Sequence, residues 1–261
     1  MQREQVQLQG IDFPETVRQE GASVELFRLE SPSFKDIEAW IVENHFDTDR
    51  QFGFVSEANN KQEIMLLWLS FRRVIRTRYR ITAGRLSRQQ EESTEPEIGE
   101  LHFRRDGLLE MYAMSPKQRN LILNSLDESF RESSVKHLSL SKSAMISLMK
   151  EAVDVSSVSL SGLGNPFFSD MTLSGEDPVG SRTYKEILSS GSIKSFRGRF
   201  QIESGREEVS KSGMNFLLVT VQNKCKVRFH AGGENVVVQS SLEDFLSKVG
   251  ELSTIETEVE K

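Results

Sequence analysis

Hydrophobic positions recur along the chain with two periods, two residues in some stretches and about 3.6 in others. The first period is typical of a β-strand with one buried face, and the second is typical of an amphipathic helix. Within residues 22–132 the pattern predicts strands at 24–29, 52–55, 64–81 and 98–113 and helices at 34–41 and 116–130. This order is a strand and a helix followed by an antiparallel sheet and a closing helix.

Residues 134–251 show the same order again. The pattern there predicts strands at 135–140, 155–160, 193–202, 214–221, 224–229 and 236–238 and helices at 142–152 and 242–249. We therefore expect an α+β fold of two similar units, each with the order strand, helix, antiparallel sheet, helix. Polar segments at 1–21 and 252–261 flank the two units.

Local signals for turns and helix ends support this assignment. Asp106-Gly107 between two apolar runs is a strong hairpin signal. Ser33 with Asp36, and Ser115 with Gln118, have the three-residue spacing of a capping box at a helix N-terminus.

The order of elements resembles the repeat unit of the TATA-binding protein family. The resemblance covers about residues 22–251 and is one of topology. That family's residue motifs, including the paired phenylalanines that it wedges into the minor groove, have no match in this chain. The resemblance therefore implies a fold and transfers no functional residue.

Basic residues are segregated on the predicted strands, although the chain has 39 acidic and 33 basic residues and a net charge of −6. In segment 64–81 the odd positions are mostly apolar, and from position 70 the even positions are mostly arginine. Because a strand alternates its faces, the odd set is expected to pack inward. On three other predicted strands, basic and apolar residues alternate in the same way, with Glu100 as the one acid on the outward side. The complete outward basic set is Arg72, Arg76, Arg78, Arg80, Arg104, Arg197, Arg199, Lys224, Lys226 and Arg228.

Three interpretations of this basic set remain open. It can be an ordinary solvated sheet face, since the stems of arginine and lysine cover apolar surface. It can bind DNA or RNA, since a basic patch is the usual footprint of nucleic-acid binding. It can also meet an acidic or complex-forming protein partner. Nucleic-acid binding without enzymatic activity is the leading hypothesis, and a protein interaction module is the alternative.

Two further features bear on this hypothesis. Trp68 lies on the even side of the arginine-rich strand, where it can stack a base or be buried under a helix, and its neighbours Ile64 and Leu66 favour burial. Segment 82–97, with arginines followed by glutamates, is expected to be a mobile hairpin tip in which basic and acidic halves pair.

No pattern of catalytic or metal-binding residues is found in the sequence. The histidines are dispersed, and the single cysteine, Cys225, falls on the apolar side of its predicted strand, where a thiol is buried and inert. No nucleophile, base and orienting group can be assembled from the spacing. We expect no catalytic residue, no metal and no cofactor.

The sequence also bears on compartment. The longest apolar run, 64–69, is far shorter than the about 18 residues that span a bilayer, and Met1–Gly10 lacks the apolar stretch of a secretory signal. One cysteine cannot form an internal disulfide, so a reducing compartment is expected. The prediction is a cytoplasmic protein without a membrane partner.

Overall fold

A computed structural model describes residues 23–30, 33–59, 63–82, 85–130, 135–163, 169–189, 191–201, 216–230 and 239–255. Within these residues the chain is a mixed α+β structure with five helices and a large antiparallel sheet. The expected strand at 236–238 and the polar segment 1–21 lie outside the described residues. Among the described helices, none combines the length and the apolar character that crossing a bilayer requires.

Four of the five described helices begin directly after a serine that caps them, namely Ser33, Ser115, Ser141 and Ser181. The bounds are α1 Phe34–Glu43, α2 Pro116–Phe130, α3 Lys142–Glu151, α4 Arg182–Leu188 and α5 Gln239–Leu252. Ser33 and Asp36 form the expected capping box of α1, and Ser115 and Gln118 exchange the same pair of hydrogen bonds at the start of α2. The predicted helices at 34–41, 116–130, 142–152 and 242–249 are thus all present.

The strands form a sheet in which every paired neighbour is antiparallel. The bounds are β1 Ser23–Leu29, β2 Phe52–Asn59, β3 Glu63–Thr82, β4 Arg85–Arg104, β5 Leu108–Tyr112, β6 Val135–Leu140, β7 Asp154–Ser161, β8 Asp170–Ser174, β9 Ser192–Gln201, β10 Phe216–Gln222, β11 Lys226–Phe229 and β12 Ser253–Ile255. The order across the sheet is β2-β3-β4-β5-β1-β11-β10-β9-β7-β8. β6 pairs with the second half of β1 and with β12.

The central strands are buried on both faces, because two helical layers cover opposite sides of the sheet. On β5, Leu109 and Met111 belong to a core cluster that includes residues of α1 and α2. Leu108 and Tyr112 alternate with them and belong to a second cluster, which includes residues of α3, α4 and α5. Since alternate residues of a strand point to opposite faces, α1 and α2 lie on one side and α3, α4 and α5 on the other.

The hairpin of β3 and β4 extends beyond the rest of the sheet. β2 pairs with β3 only as far as Ser70, and β5 pairs with β4 only from Glu100 onward. Between these points the two long strands pair only with each other within the described residues. We call residues 72–82 and 85–95 the arm. Eleven residues of β-strand span about 35 Å, so the arm is a long two-stranded ribbon with most of its side chains exposed.

Two expectations about this hairpin are wrong. Segment 82–97, expected to be a mobile tip, forms most of β4, because its backbone pairs residue by residue with β3. The odd positions of β3 were expected to pack inward, but the even positions Ile64, Leu66 and Trp68 form the core beneath α1 and α2. From Arg72 onward the side chains on both faces of β3 are mostly exposed, so neither is an inner face.

The Asp106-Gly107 hairpin joins β4 to β5 as predicted. Gly107 has a φ of +80°, a conformation that favours glycine, and the Leu108 N–H donates to Asp106 Oδ1 at 3.0 Å. β8 and α4 lie between the predicted strands 155–160 and 193–202, where the sequence pattern predicted no element, and β12 lies in the segment that was expected to be a polar tail.

Cys225 gives a direct check of the core assignment. Its side chain is fully buried in the cluster on the α3 side of the sheet, as expected, although the residue lies in the turn before β11 rather than within a strand. A thiol reagent is expected to label the folded protein slowly and the denatured protein quickly. Mass spectrometry measures the rate of labelling. Rapid labelling of the native protein would contradict the buried position of Cys225.

Candidate nucleic-acid interface

One face of the sheet collects most of the predicted basic residues. Laterally paired residues point to the same face, so the register defines that face across the sheet. The row passes through Leu66, Leu101, Met111, Glu25, Lys226 and Gln222. Its first three members are in the core beneath α1 and α2, so we call this side the α1–α2 face. The α1–α2 face holds eight of the ten predicted residues: Arg72, Arg76, Arg78, Arg80, Arg197, Arg199, Lys226 and Arg228.

The remaining two predicted residues lie elsewhere. Arg104 lies on the opposite face of β4 and is partly buried, with its guanidinium donating to Ser247 of α5 at 2.9 Å and facing Glu110 at 3.3 Å. Lys224 is exposed in the turn between β10 and β11. The helix α5 covers the face that carries Arg104, which separates this residue from the other basic residues.

Carboxylates of β4 neutralise the base of the arm. Arg72 forms ion pairs with Glu95 at 3.7 Å and Glu97 at 3.3 Å, and Arg76 also pairs with Glu95. Arg78 pairs with Glu91 at 3.2 Å. The sequence suggested one acid against the whole basic set, so these cross-strand glutamates are a correction. Exposed pairs of this kind contribute little to stability, but they lower the local positive potential.

The distal part of the arm has no such acids. Arg80 and Arg85 lie on the α1–α2 face of the ribbon, and Arg88 lies on the reverse face opposite Tyr79. None of these three arginines has an ion pair with a carboxylate of the described residues. Positive charge is therefore concentrated at the end of the arm that is farthest from the body of the sheet.

The reverse face of the arm carries exposed apolar side chains beside the charged Arg73, Arg88 and Glu92. Tyr79 is 66 % exposed, Ile81 73 % and Leu86 67 %, and Ile75 nearer the base is also exposed. Single exposed apolar residues are ordinary on protein surfaces, but Ile81 and Leu86 are direct cross-strand partners. The arm thus carries most of its arginines on the α1–α2 face and its exposed Tyr79, Ile81 and Leu86 on the reverse face.

The second basic region lies on β9, β10 and β11, on the α1–α2 face but beyond its helices. Lys226 is paired with Glu25 at 2.7 Å, and Arg199 is paired with Asp154. Arg197 and Arg228 have no ion pair with a carboxylate in the part of the chain that the structure describes. These two arginines are available to bind an anion from solution.

Glu25 links the two halves of the sheet through ion pairs. Its carboxylate accepts from Arg119 of α2 at 2.6 Å and from Lys226 of β11 at 2.7 Å. Partial burial acts to raise the pKa of Glu25, but the hydrogen bonds from Lys226 and Arg119 outweigh it, and the net shift is downward. The ionised Glu25 carboxylate therefore stabilises the folded protein at pH values above its unfolded-state pKa. This stabilisation is lost as the pH falls through the folded-state pKa.

Glu25→Gln is expected to lower the free energy of unfolding at pH 7 by about 1–2 kcal/mol, a moderate value because both cations remain partly exposed. The variant should also lose part of the acid-side dependence of stability on pH. Urea denaturation at several pH values measures both effects. A parent and variant with the same stability at pH 7 would contradict the role of Glu25.

A buried polar cluster on the other face escaped the sequence analysis. The His102 side chain is fully buried, with Nδ1 at 3.2 Å from Glu63 Oε2 and Nε2 hydrogen-bonded to Glu100. Beside it the Tyr112 hydroxyl donates to Glu110 at 2.6 Å. Alternation on β4 suggested that His102 and Arg104 point outward. They do point away from the core beneath α1 and α2, but α5 and its neighbours cover that side as well.

Neither Trp68 nor a metal cluster adds to the candidate interface. Trp68 is 1 % exposed and packs edge to face on Phe54, so it is unavailable to stack a base. No group of three or more histidine, cysteine, aspartate or glutamate side chains suited to a metal ion occurs among the described residues. A scan against protein-family models gave no match, and a search of curated proteins found no similar sequence.

Proposed function

We propose that this protein binds nucleic acid through the α1–α2 face and both sides of the distal part of the arm, with the distal part of the arm as its main contact. The observation that carries the proposal is the concentration of Arg80, Arg85 and Arg88 at the end of an exposed ribbon, with no carboxylate of the described residues paired to them. Phosphate contacts by arginine are the main source of affinity in nucleic-acid binding.

The shape of the arm suits duplex DNA. The major groove is about 12 Å wide and admits a two-stranded β-ribbon. A ribbon that enters a groove places one face toward the bases and the adjacent phosphates, and Arg80 and Arg85 share such a face. The exposed Ile81 and Leu86 lie on the reverse face, which points away from the bases in this arrangement.

The ion-paired arginines contribute less in this proposal. Arg72, Arg76 and Arg78 must compete with their glutamate partners for a phosphate. Arg197 and Arg228 face no such competitor among the described residues, so they form a second contact region on the same face. The proposed site is thus smaller than the evenly basic sheet face that the sequence predicted. It consists of the distal part of the arm and the region of Arg197 and Arg228, with α1 and α2 between them.

We also propose that the two halves of the chain are copies of one unit, as the sequence pattern suggests. The meander β2-β3-β4-β5 lies on one side of β1 and the meander β7-β9-β10-β11 on the other, and β5 and β11 both run antiparallel to β1. Each half also carries its helices on one face of the sheet. β6 departs from the simple repeat, because it pairs with β1.

A protein partner is the second candidate, and the exposed apolar side chains on the reverse face of the arm favour it. Exposed Tyr79, Ile81 and Leu86 are the kind of residues that protein interfaces bury. The two candidates differ in their response to salt. Binding to phosphates weakens steeply with salt concentration, whereas a packed apolar interface is much less sensitive.

Two variants test the proposed nucleic-acid site, one with Arg76, Arg78 and Arg80 changed to glutamine and one with Lys224, Lys226 and Arg228 changed to glutamine. Binding of labelled mixed-sequence DNA duplex, single-stranded DNA and RNA is measured at two salt concentrations, with thermal melts as the folding control. Both variants are expected to remain folded and to bind more weakly than the parent. No binding by the parent at low salt would reject the proposal and favour the protein partner.

A further inference from the structure

A row of polar side chains crosses β9, β10 and β11 on the α1–α2 face. Thr220 of β10 pairs with Arg228 of β11 on one side and with Arg197 of β9 on the other. Neighbouring strands are about 4.8 Å apart, so the Cα atoms of Arg197 and Arg228 are about twice that distance from each other, with Thr220 between them. On β1, Ser23 pairs with Arg228 and extends the row. His230 joins it through a 2.8 Å hydrogen bond between its Nε2 and Thr220 Oγ1.

The charges in this row are unbalanced. The cations on either side are neutralised, Lys226 by Glu25 and Arg199 by Asp154. Arg197 and Arg228 have no ion pair with any described carboxylate. The pKa of His230 is lowered, first by its burial and then by the positive charges of Arg197 and Arg228. Two guanidinium groups therefore act on one imidazole with no described anion between them.

Two donors in the row also lack partners. Arg197 Nε and Ser23 Oγ are buried from solvent and make no hydrogen bond within the described residues. A buried polar group without a partner costs about 1–3 kcal/mol, so each such group calls for an explanation, and a bound ion is one. Arg197 and Arg228 flank Thr220 from the two neighbouring strands, and guanidinium donors on both sides of a hydroxyl suit the several acceptor oxygens of a phosphate group.

We propose that Arg197, Arg228, Thr220 and His230 form a binding site for a phosphate group. The site stands on its own geometry and does not depend on the arm. The phosphate can belong to a nucleic-acid backbone or to a free nucleotide, because both present the same oxygen atoms to the arginines. A bound phosphate accepts from both guanidinium groups and removes the repulsion between them.

The test is an NMR titration of the His230 ring in the full chain. Inorganic phosphate is expected to raise the pKa of His230, because an anion offsets the fields of Arg197 and Arg228. In Arg197→Gln and Arg228→Gln the phosphate affinity should fall at least about tenfold, as for removal of a charge-assisted hydrogen bond of about 1.5–3 kcal/mol. Arg182→Gln, which removes a fully exposed arginine on α4, should leave the affinity unchanged.

The Arg228→Gln variant gives a second measurement that needs no ligand. Removing this charge should raise the pKa of His230 in the free protein and leave the melting temperature unchanged or higher, since a like-charge repulsion is relieved. A folded variant with an unchanged His230 pKa, or a parent whose His230 signals ignore phosphate, would overturn the proposal.

Two further titrations identify the source of the phosphate. If an oligonucleotide saturates the His230 response at concentrations where adenosine monophosphate has no effect, the site belongs to the nucleic-acid interface. If adenosine monophosphate saturates the response at concentrations where the oligonucleotide has no effect, the site binds a nucleotide. Either result supports the phosphate site. A variant with Arg80, Arg85 and Arg88 changed to glutamine should keep its phosphate response, so failure of the arm and failure of this site give different results.

Discussion

Replacing Arg80, Arg85 and Arg88 together by glutamine is expected to weaken binding of a mixed-sequence DNA duplex by at least about tenfold at low salt. The slope of log K against log salt concentration should become shallower by about 2–3, close to one for each phosphate that the variant no longer neutralises. These three arginines have no described carboxylate partner that holds them back from a phosphate. Fluorescence anisotropy with a labelled duplex measures both quantities.

A matched control separates the arm from net charge. Lys150, Arg182 and Lys185 are exposed on α3 and α4, helices that contribute to the core on the opposite face of the sheet. Changing these three residues to glutamine alters the net charge by the same amount and should leave duplex affinity nearly unchanged. Both triple variants should melt close to the parent, since surface substitutions usually change stability by no more than about 0.5 kcal/mol. Equal reductions of affinity in the two variants would show that the arm is not the contact.

His102→Leu is expected to cost about 3–5 kcal/mol of the free energy of unfolding. The substitution removes the imidazole that contacts both Glu63 and Glu100, and Glu100 is only 5 % exposed. Chemical denaturation measures the loss. The double variant His102→Leu with Glu100→Leu should regain part of it, because the buried acceptor is removed together with its partner.

Another histidine provides the control for this prediction. His137 is exposed and packs edge to face on Phe27. His137→Leu should therefore cost less than about 1 kcal/mol. A loss from His102→Leu as small as that from His137→Leu would mean that the polar cluster contributes little to stability, and so would a double variant that is less stable than His102→Leu.

Elements with local signals could be predicted from the sequence. The capping pairs Ser33 with Asp36 and Ser115 with Gln118, and the Asp106-Gly107 turn, act through residues close in sequence, and the structure has them as expected. The burial of Trp68 and Cys225 also followed from their apolar neighbours. In each case the determining interactions lie within a few residues.

The features that were missed depend on partners distant in sequence. Residues 85–97 are rich in Gln, Glu and Ser, a composition typical of a loop, and they form a strand because β3 supplies their hydrogen bonds. The same pairing brings Glu91 and Glu95 to the arginines of β3. Arg104 was expected to face outward, and its partner Ser247 lies on α5, 143 residues later in the chain.

The central claim is tested most directly by the salt dependence of duplex binding by the parent protein between 50 and 200 mM salt, a range over which phosphate contacts change affinity by orders of magnitude, roughly 10³–10⁵ for 6–10 contacts. Each phosphate neutralised contributes about −0.9 to the slope of log K against log salt concentration. Contacts by the three arginines at the end of the arm predict a slope of about −3 or steeper. A slope of about −1 or shallower, or no binding at the lowest salt concentration, would contradict a nucleic-acid interface on the α1–α2 face.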